Sequence, residues 1–133
     1  IVLRLAALYG VGRCEVLRRH LAGELRLPGQ AERILNYVHT DDAVSALILA
    51  AQNAAPGSCL NVSGESVRLE ELYRQLTAAT GVPSAAESAP VSLRGLSDRL
   101  IESAQLRKLG WKPQMSLRRF AEHFADTFGT DAT

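Results

Sequence analysis

The 133-residue sequence has few cysteines and few aromatic residues, almost no net charge and no long apolar run. Cysteine occurs twice, aromatic residues make up 5%, and no apolar run reaches the ~18 residues that a membrane-spanning helix needs. With so few aromatic side chains, we expect no surface on which the bases of a nucleic acid could stack. The net charge is +1, from 15 basic and 14 acidic residues, so there is no broad basic surface for nucleic acid or an anionic membrane. We therefore expect neither nucleic acid nor a membrane among its partners.

The two cysteines predict no disulfide framework and no metal site. Cys14 and Cys59 lie far apart and match neither metal-ligand nor redox spacing. Cys14 falls at the start of a predicted helix, where the helix dipole can lower a thiol pKa, so a nucleophilic role is one reading. Two reduced structural thiols are the simpler reading, and they are typical of a cytoplasmic protein.

What is present indicates an α/β fold. Apolar residues make up 47% and charged residues 22%, the balance of an ordinary globular domain. Apolar runs predict strands, and apolar residues at helical spacing predict helices between them. Strands are predicted at 1–8, 34–39 and 59–62, and helices at 16–25, 43–54, 69–80, 104–109 and 116–128. Alternating strands and helices predict parallel strands joined by helical crossovers, with few strands and about five helices.

Polar residues and glycines predict where the helices begin and end. Thr40, Asp41 and Asp42 offer side-chain oxygens to the start of the second helix, and Ser103 and Ser116 do so for the last two. Gly81 is a typical helix stop. His39 beside Asp42 could form an acid/base pair, but a hydrogen-bonded structural histidine is the simpler interpretation.

The first strand needs cover that this chain does not supply. Residues 1–8 are apolar except for Arg4, as in a strand buried on both faces, and the run begins without Met or a polar lead-in. Two or three strands cannot cover it, so we expect a partner, either another copy in a homo-oligomer or a missing N-terminal half.

Five segments, in this order and spacing, resemble the C-terminal half of the NAD(P)-dependent epimerase/dehydratase family, the extended short-chain dehydrogenases/reductases. They are Leu3-Arg4-Leu5-Ala6 leading into Tyr9-Gly10-x-Gly12-Arg13, Tyr37-Val38-His39-Thr40-Asp41-Asp42-Ala43-Val44, Leu60-Asn61-Val62-Ser63-Gly64-Glu65, Leu69-Glu70-Glu71-Leu72, and Leu106-Arg107-Lys108-Leu109-Gly110-Trp111-Lys112-Pro113. The resemblance covers nearly the whole chain and implies that residues 1–133 form the substrate-binding lobe of a Rossmann-like enzyme of roughly twice this length.

The resemblance also implies what is missing. Family members bind NAD or NADP on a glycine-rich loop of an N-terminal Rossmann domain, and a Tyr-x-x-x-Lys pair carries the hydride chemistry. The lysines here, Lys108 and Lys112, have no tyrosine four residues before them, and the only clustered glycines are Gly10 and Gly12. We therefore expect the complete protein to use NAD or NADP, and this chain alone to bind no cofactor and to hold no catalytic residue.

For the substrate, a sugar or nucleotide sugar, the resemblance and the strand ends indicate five contacts. They are Tyr9, Gly10, Arg13, Arg33 and Arg99. The first three follow the end of a strand, where open α/β sheets bind ligands, and the arginines can meet a phosphate. Leu35 occupies the place where relatives carry a diphosphate-binding arginine, and Arg33 shares its strand face and could substitute. Ala7 replaces a substrate-binding asparagine of many relatives and cannot form that hydrogen bond.

Two functions are compatible with these observations. One is the substrate-binding half of an NAD(P)-dependent epimerase, dehydratase or reductase, catalytically incomplete by itself. The alternative is a stand-alone binding or oligomerisation module derived from that lobe. An oligomer that buries residues 1–8 would favour the module.

Overall fold

The computed structural model describes residues 1–25, 33–83 and 100–130, with side chains described only as far as residue 125 in the last segment. Five strands and five helices lie along these ranges, which confirms the predicted α/β class and number of helices. The strands are β1 (Val2–Leu5), β2 (Ala7–Tyr9), β3 (Ile34–His39), β4 (Cys59–Val62) and β5 (Glu65–Arg68). The helices are α1 (Glu15–Leu21), α2 (Thr40–Asn53), α3 (Leu69–Thr80), α4 (Ala104–Lys108) and α5 (Leu117–Thr130).

The strands form two small sheets. β1 and β4 pair in parallel, and β2, β3 and β5 form the second sheet in that order. In the second sheet β2 runs parallel to β3, with Tyr9 opposite His39, and β5 runs antiparallel to β3, with Leu35 opposite Val67. The predicted parallel pairing of strands is therefore confirmed. The antiparallel strand β5 was not predicted, because its first residues belong to the polar segment 63–66, which has no strand pattern.

The single strand predicted over residues 1–8 is wrong, because the chain passes from one sheet to the other at Ala6. The Ala6 N–H donates to the Val62 carbonyl at 2.9 Å, after which β2 leaves β4 and pairs with β3. The return crossing lies at Gly64, whose N–H donates to the Tyr37 carbonyl at 2.9 Å. A Cβ on Gly64 would lie 3.3 Å from that carbonyl oxygen, so the close crossing favours glycine.

The second sheet separates two hydrophobic clusters. Side chains alternate between the faces of a strand, so Tyr9, Tyr37 and Val67 face one way and Leu8 and Val38 the other. The first face packs against α1, α3 and α5 through residues that include Leu17, Leu72, Leu76 and Phe120. The second face packs against α2, whose three buried alanines are Ala43, Ala46 and Ala50. The carboxyl end of β2 therefore lies against the larger cluster.

The predicted last helix buries one face, on which Leu117, Phe120, Ala121 and Phe124 recur at helical spacing. Leu117, Phe120 and Ala121 are fully buried, and Phe124 packs against them at the next turn. Phe128 lies outside the described side chains. This face of α5 is core, as its spacing indicated.

Two of the predicted helix ends are confirmed. The Ser116 hydroxyl accepts the Arg119 N–H at 3.2 Å, and Gly81 ends α3 with a φ of 75°. The prediction for Ser103 is wrong: its hydroxyl accepts the Ser63 N–H at 2.8 Å and joins α4 to the end of β4 instead of capping α4.

The prediction that Asp42 caps α2 is also wrong. His39 occupies the cap, and its Nδ1 accepts the Asp41 N–H at 3.1 Å, which confirms His39 as a hydrogen-bonded structural residue. Asp42 is the third residue of α2, in its first turn, and is 4% exposed. Its carboxylate accepts the N–H groups of Gln114 and Met115 at 2.9 and 3.0 Å, and so ties α2 to the segment before α5.

In the described ranges, no helix combines the length and the apolar character needed to cross a membrane.

Candidate functional site

The turn after β2 is closed by its own backbone. Gly10 and Arg13 exchange two hydrogen bonds, from the Gly10 N–H to the Arg13 carbonyl at 2.8 Å and from the Arg13 N–H to the Gly10 carbonyl at 2.9 Å. Gly12 lies between them with a φ of 77°, a left-handed conformation that favours glycine. The turn holds Arg13 exposed at the carboxyl end of β2.

Gly10 is required by packing against α2. A Cβ at this position would lie 2.5 Å from Thr40 Oγ1 and 3.1 Å from Thr40 Cγ2, closer than atoms can approach without a shift. Thr40 is the first residue of α2, so the glycine brings the turn against the start of that helix. Thr40 occupies the space in which a Cβ at Gly10 would lie, so Gly10 positions the turn, and its contact with a ligand stays a prediction.

A cleft of about 240 Å³ opens between β2 and α1. We call it the β2–α1 cleft. Its lining includes Ala7, Tyr9, Cys14, Arg19, Leu25 and Tyr37. The volume is slightly below the ~300 Å³ at which pockets for whole small-molecule ligands begin, so the cleft can take one part of a larger ligand.

The inner wall of the β2–α1 cleft is neutral. Burial raises the pKa of the Cys14 thiol to about 11 and that of Tyr37 to about 12, because the low-dielectric interior disfavours their charged forms. Burial raises the pKa of Tyr9 as well. All three groups stay protonated at neutral pH. The nucleophilic reading of Cys14 therefore loses its basis, since a reactive cysteine needs a lowered pKa.

Tyr9, predicted as a substrate contact, has its side chain in the core. The residue is 2% exposed, and its ring stacks edge-on against Phe120 and His39 with centroids 5.2 and 5.3 Å away. Its hydroxyl is buried and has no hydrogen-bond partner in the described part of the chain. Tyr9 therefore anchors the end of β2 in the core, and the turn that follows it lies at the surface.

The arginines of the site do not converge. Arg13 follows the carboxyl end of β2, whereas Arg33 precedes the amino end of the parallel strand β3. The six residues of β3 separate those ends by about 17 Å. Burial raises the pKa of Tyr37, and the charge of Arg33 lowers it by a smaller amount. Arg99 lies outside the described residues.

Arg19 is a positive group at the cleft that the sequence did not indicate. It lies on α1 and pairs with Glu15, with Nε 3.0 Å from Oε1. Hydrogen bonds from Arg18 and Arg19 lower the pKa of Glu15 to about 2. Helical spacing of Val16 and Leu17 placed Arg19 on the outer side of α1, but nothing in the pattern placed α1 over β2. The α1 side of the cleft thus carries a paired charge, and Arg13, which does not line the cleft, is exposed on the turn after β2.

The turn after β2 does not fit a dinucleotide. A pyrophosphate cradle needs free backbone N–H groups and a glycine that lets the phosphate approach, but the N–H groups of Gly10 and Arg13 are bonded and Gly10 faces Thr40. α1 has only seven residues, and no side chain caps it. Over residues 1–25, 33–83 and 100–125, no three His, Cys, Asp or Glu side chains are grouped to hold a metal ion.

Comparison with known proteins relates this sequence and fold to one group of enzymes. No protein-family model matches the sequence. The UDP-glucose 4-epimerase of Mycolicibacterium smegmatis is 33% identical over 110 residues, which are 80% of this chain and 34% of that protein. The chain therefore spans about a third of the length of this curated relative.

Solved structures give the same relationship at the level of the fold. The UDP-glucose 4-epimerase of Thermotoga maritima, solved with UDP-glucose, matches 99% of this chain with 46% of its own, at a TM-score of 0.77 and 26% identity. The UDP-glucuronic acid 4-epimerase of Bacillus cereus, solved with UDP-glucuronic acid and NAD, has a TM-score of 0.78 at 19% identity and is matched over 45% of its chain. At that identity the second match shows the fold alone.

Proposed function

Since this chain is related in sequence and fold to the NAD(P)-dependent epimerase/dehydratase family, we propose that it is the substrate-binding lobe of such an enzyme and is not catalytically complete by itself. One observation carries this proposal. The fold matches less than half of the T. maritima epimerase along almost all of this chain, and the turn after β2 does not fit a dinucleotide. The reaction would be a hydride transfer at a sugar alcohol, with NAD or NADP held by the other half. Its unpaired cysteines, Cys14 and Cys59, suit the cytoplasmic location that we also propose.

The substrate class we propose is a nucleotide sugar. UDP-glucose is bound in the T. maritima structure, and here the β2–α1 cleft and the turn after β2 supply complementary groups. The neutral inner wall suits an uncharged ring. The exposed Arg13 would meet the diphosphate. Arg33, about 17 Å away at the other end of β3, would contact a different part of the nucleotide sugar. Arg99 remains a proposed contact on the resemblance alone, and Tyr9 and Gly10 hold the turn in place.

The cofactor part of the proposal is tested by calorimetric titration of the 133-residue chain with NAD(H) and NADP(H). We expect no stoichiometric binding of either cofactor. Tight one-to-one binding would show that the cofactor site is in this chain and would refute the assignment of the lobe.

The substrate part is tested by titrating UDP-glucose and UDP into the chain while its amide resonances are followed by NMR. We expect shifts in the turn 9–13 and in β3. Arg13→Ala and Arg33→Ala should each weaken binding by about tenfold or more, because a hydrogen bond to a charged group contributes about 1.5–3 kcal/mol. The matched control is Arg118→Ala, an exposed arginine paired with Glu122 on α5. Equal weakening by the control, or shifts elsewhere, would contradict this site.

A further inference from the structure

His20 is a buried histidine that joins the ends of two helices. It lies in the last turn of α1, is 1% exposed, and shares the buried face of that helix with Val16 and Leu17. Its Nε2 lies 3.1 Å from the hydroxyl oxygen of Thr80, the last residue of α3. This contact ties the end of α1 to the end of α3 within the core of the lobe.

The Thr80 hydroxyl decides which nitrogen of His20 carries the proton. A hydroxyl has one proton to donate and two lone pairs that accept. The Thr80 hydroxyl donates its proton to the Leu76 carbonyl at 2.7 Å, and one lone pair accepts the Val82 N–H at 3.2 Å. The other lone pair is left for His20, so this network assigns the proton of the neutral ring to Nε2. Nδ1 then has no proton, and it is buried without a hydrogen-bond partner in the described part of the chain.

A second proton on the ring would enter at Nδ1, in surroundings that offer it no counter-ion among the described residues. α5 turns Leu117 and Phe120 toward this cluster, and α3 turns Leu76 and Tyr73. The charged side chains and the other histidine of these three helices lie at the surface or pair there: Glu15, Arg18 and Arg19 on α1, Glu70, Glu71 and Arg74 on α3, and Arg118, Arg119, Glu122 and His123 on α5. Burial lowers the pKa of His20, and the backbone of Val82 raises it by a smaller amount. A charged ring would therefore recover its hydration only by leaving this position.

The end of α1 also places one wall of the β2–α1 cleft. The Gly23 N–H donates to the His20 carbonyl at 3.1 Å, and the Glu24 N–H donates to the Arg19 carbonyl at 2.8 Å. This turn leads directly to Leu25, which is 2% exposed and lines the cleft together with Arg19. A helix of seven residues depends on its packing for stability, so a displacement of His20 would move this wall as well.

We propose that His20 is a pH-sensitive latch for the β2–α1 cleft. The neutral ring holds the end of α1 against Thr80, and a proton on Nδ1 releases that end and disturbs the wall formed by Arg19 and Leu25. The cleft would thus bind its ligand in neutral solution and lose it in mildly acidic solution. The release depends only on the contacts of His20, whereas its effect on a nucleotide sugar rests on the proposed function.

NMR spectra of the 133-residue chain test the latch directly. At about pH 7.5, the ring nitrogens of His20 should show the proton on Nε2. As the pH is lowered to about 5, the amide signals of Gly23 and Leu25 should shift with the same midpoint as the His20 ring, below its ordinary value of 6.5. His20→Gln should abolish these pH-dependent shifts. The matched control is His123→Gln, an exposed histidine on α5, which should leave them unchanged.

Variants of Thr80 separate the hydrogen bond from the charge. Thr80→Val removes the acceptor of Nε2 and should reproduce, at about pH 7.5, the shifts of the Gly23 and Leu25 amides that protonation causes in the parent chain. Thr80→Ser keeps the hydroxyl and should not. A proton on Nδ1 in neutral solution, Gly23 and Leu25 amides that stay fixed while His20 titrates, or pH-dependent shifts that persist in His20→Gln would each overturn the inference.

Calorimetric titration with UDP-glucose over the same pH range connects the latch to the cleft. The diphosphate of UDP-glucose is esterified at both ends, so its charge stays constant over this range. Its affinity should fall by up to about tenfold for each pH unit below the His20 midpoint, and should stay constant in His20→Gln. A constant affinity in the parent chain would overturn the coupling to the cleft. Absence of UDP-glucose binding at every pH would refute the proposed function instead, and the amide signals would still decide whether the latch exists.

Discussion

Replacing Asp42 tests how a single buried carboxylate holds the lobe together. Its two oxygens accept the N–H groups of Gln114 and Met115, and its own carbonyl accepts the Trp111 indole N–H at 3.1 Å. Each hydrogen bond to a charged acceptor contributes about 1.5–3 kcal/mol, which gives roughly 3–6 kcal/mol for the pair. The two N–H groups lie in a partly exposed segment and can recover water. We therefore expect Asp42→Ala to lower the free energy of unfolding by about 2–4 kcal/mol.

The amide variant separates the two bonds. Asp42→Asn keeps one acceptor oxygen and turns an NH₂ group toward the second N–H, so we expect it to cost about half as much as Asp42→Ala. Urea denaturation measures the loss, with the fluorescence of Trp111 as reporter, because it is the only tryptophan and contacts Asp42. Asp41→Asn is the control: its side chain is 92% exposed, and its effect should stay within about 0.5 kcal/mol. A loss below 1 kcal/mol for Asp42→Ala, or equal losses for both Asp42 variants, would refute this account.

Two further substitutions test the packing around the site and the charge state of the core. Gly10→Ala should destabilise the fold by about 1–3 kcal/mol, because the added Cβ would overlap Thr40 Oγ1. In a double-mutant cycle, adding Thr40→Ala should recover much of this loss of stability. Purely additive losses would contradict the clash. Burial lowers the pKa of His20, so as the pH falls this histidine is protonated in the unfolded chain before it is protonated in the folded one. Stability should therefore decrease from about pH 6.5 downward through the lower folded pKa, and His20→Gln should flatten this part of the unfolding profile; an unchanged pH slope would show that His20 is not held neutral.

The parts of the fold that the sequence predicted are those decided by neighbouring residues. Leu69, Leu72 and Leu76 recur at helical spacing and Gly81 follows, so α3 and its end could be placed without knowing what they pack against. Ser116 is predictable for the same reason, since a cap bonds a backbone group three residues away. Gly12, whose positive φ lets the turn after β2 close, belongs to this class too.

The errors all involve partners distant in the sequence. Ala6 divides an apolar run because its N–H bonds to Val62, and Ser103 leaves its helix uncapped because it bonds to Ser63. Asp42 was assigned to the start of α2 because an aspartate there satisfies a local rule, while its acceptors serve a segment close to α5. Helix-capping preferences describe hydrogen bonds that a side chain makes within its own turn. A buried polar side chain instead bonds to whichever backbone group the tertiary fold brings next to it.

The candidate site shows the same division. Gly12 and Arg13 were predicted as a turn at a strand end, and a turn at a strand end is local. The packing of α1 and α5 on the second sheet decides the other positions. It places Arg19 at the cleft and the Tyr9 ring in the core. The apolar stretch at residues 1–8 behaves differently again. Its pattern indicated burial on both faces, yet here one face and one edge of β1 stay exposed. A sequence pattern records the surroundings in which a segment is stable, and the described residues supply only one side of the cover that the apolar pattern of residues 1–8 predicts.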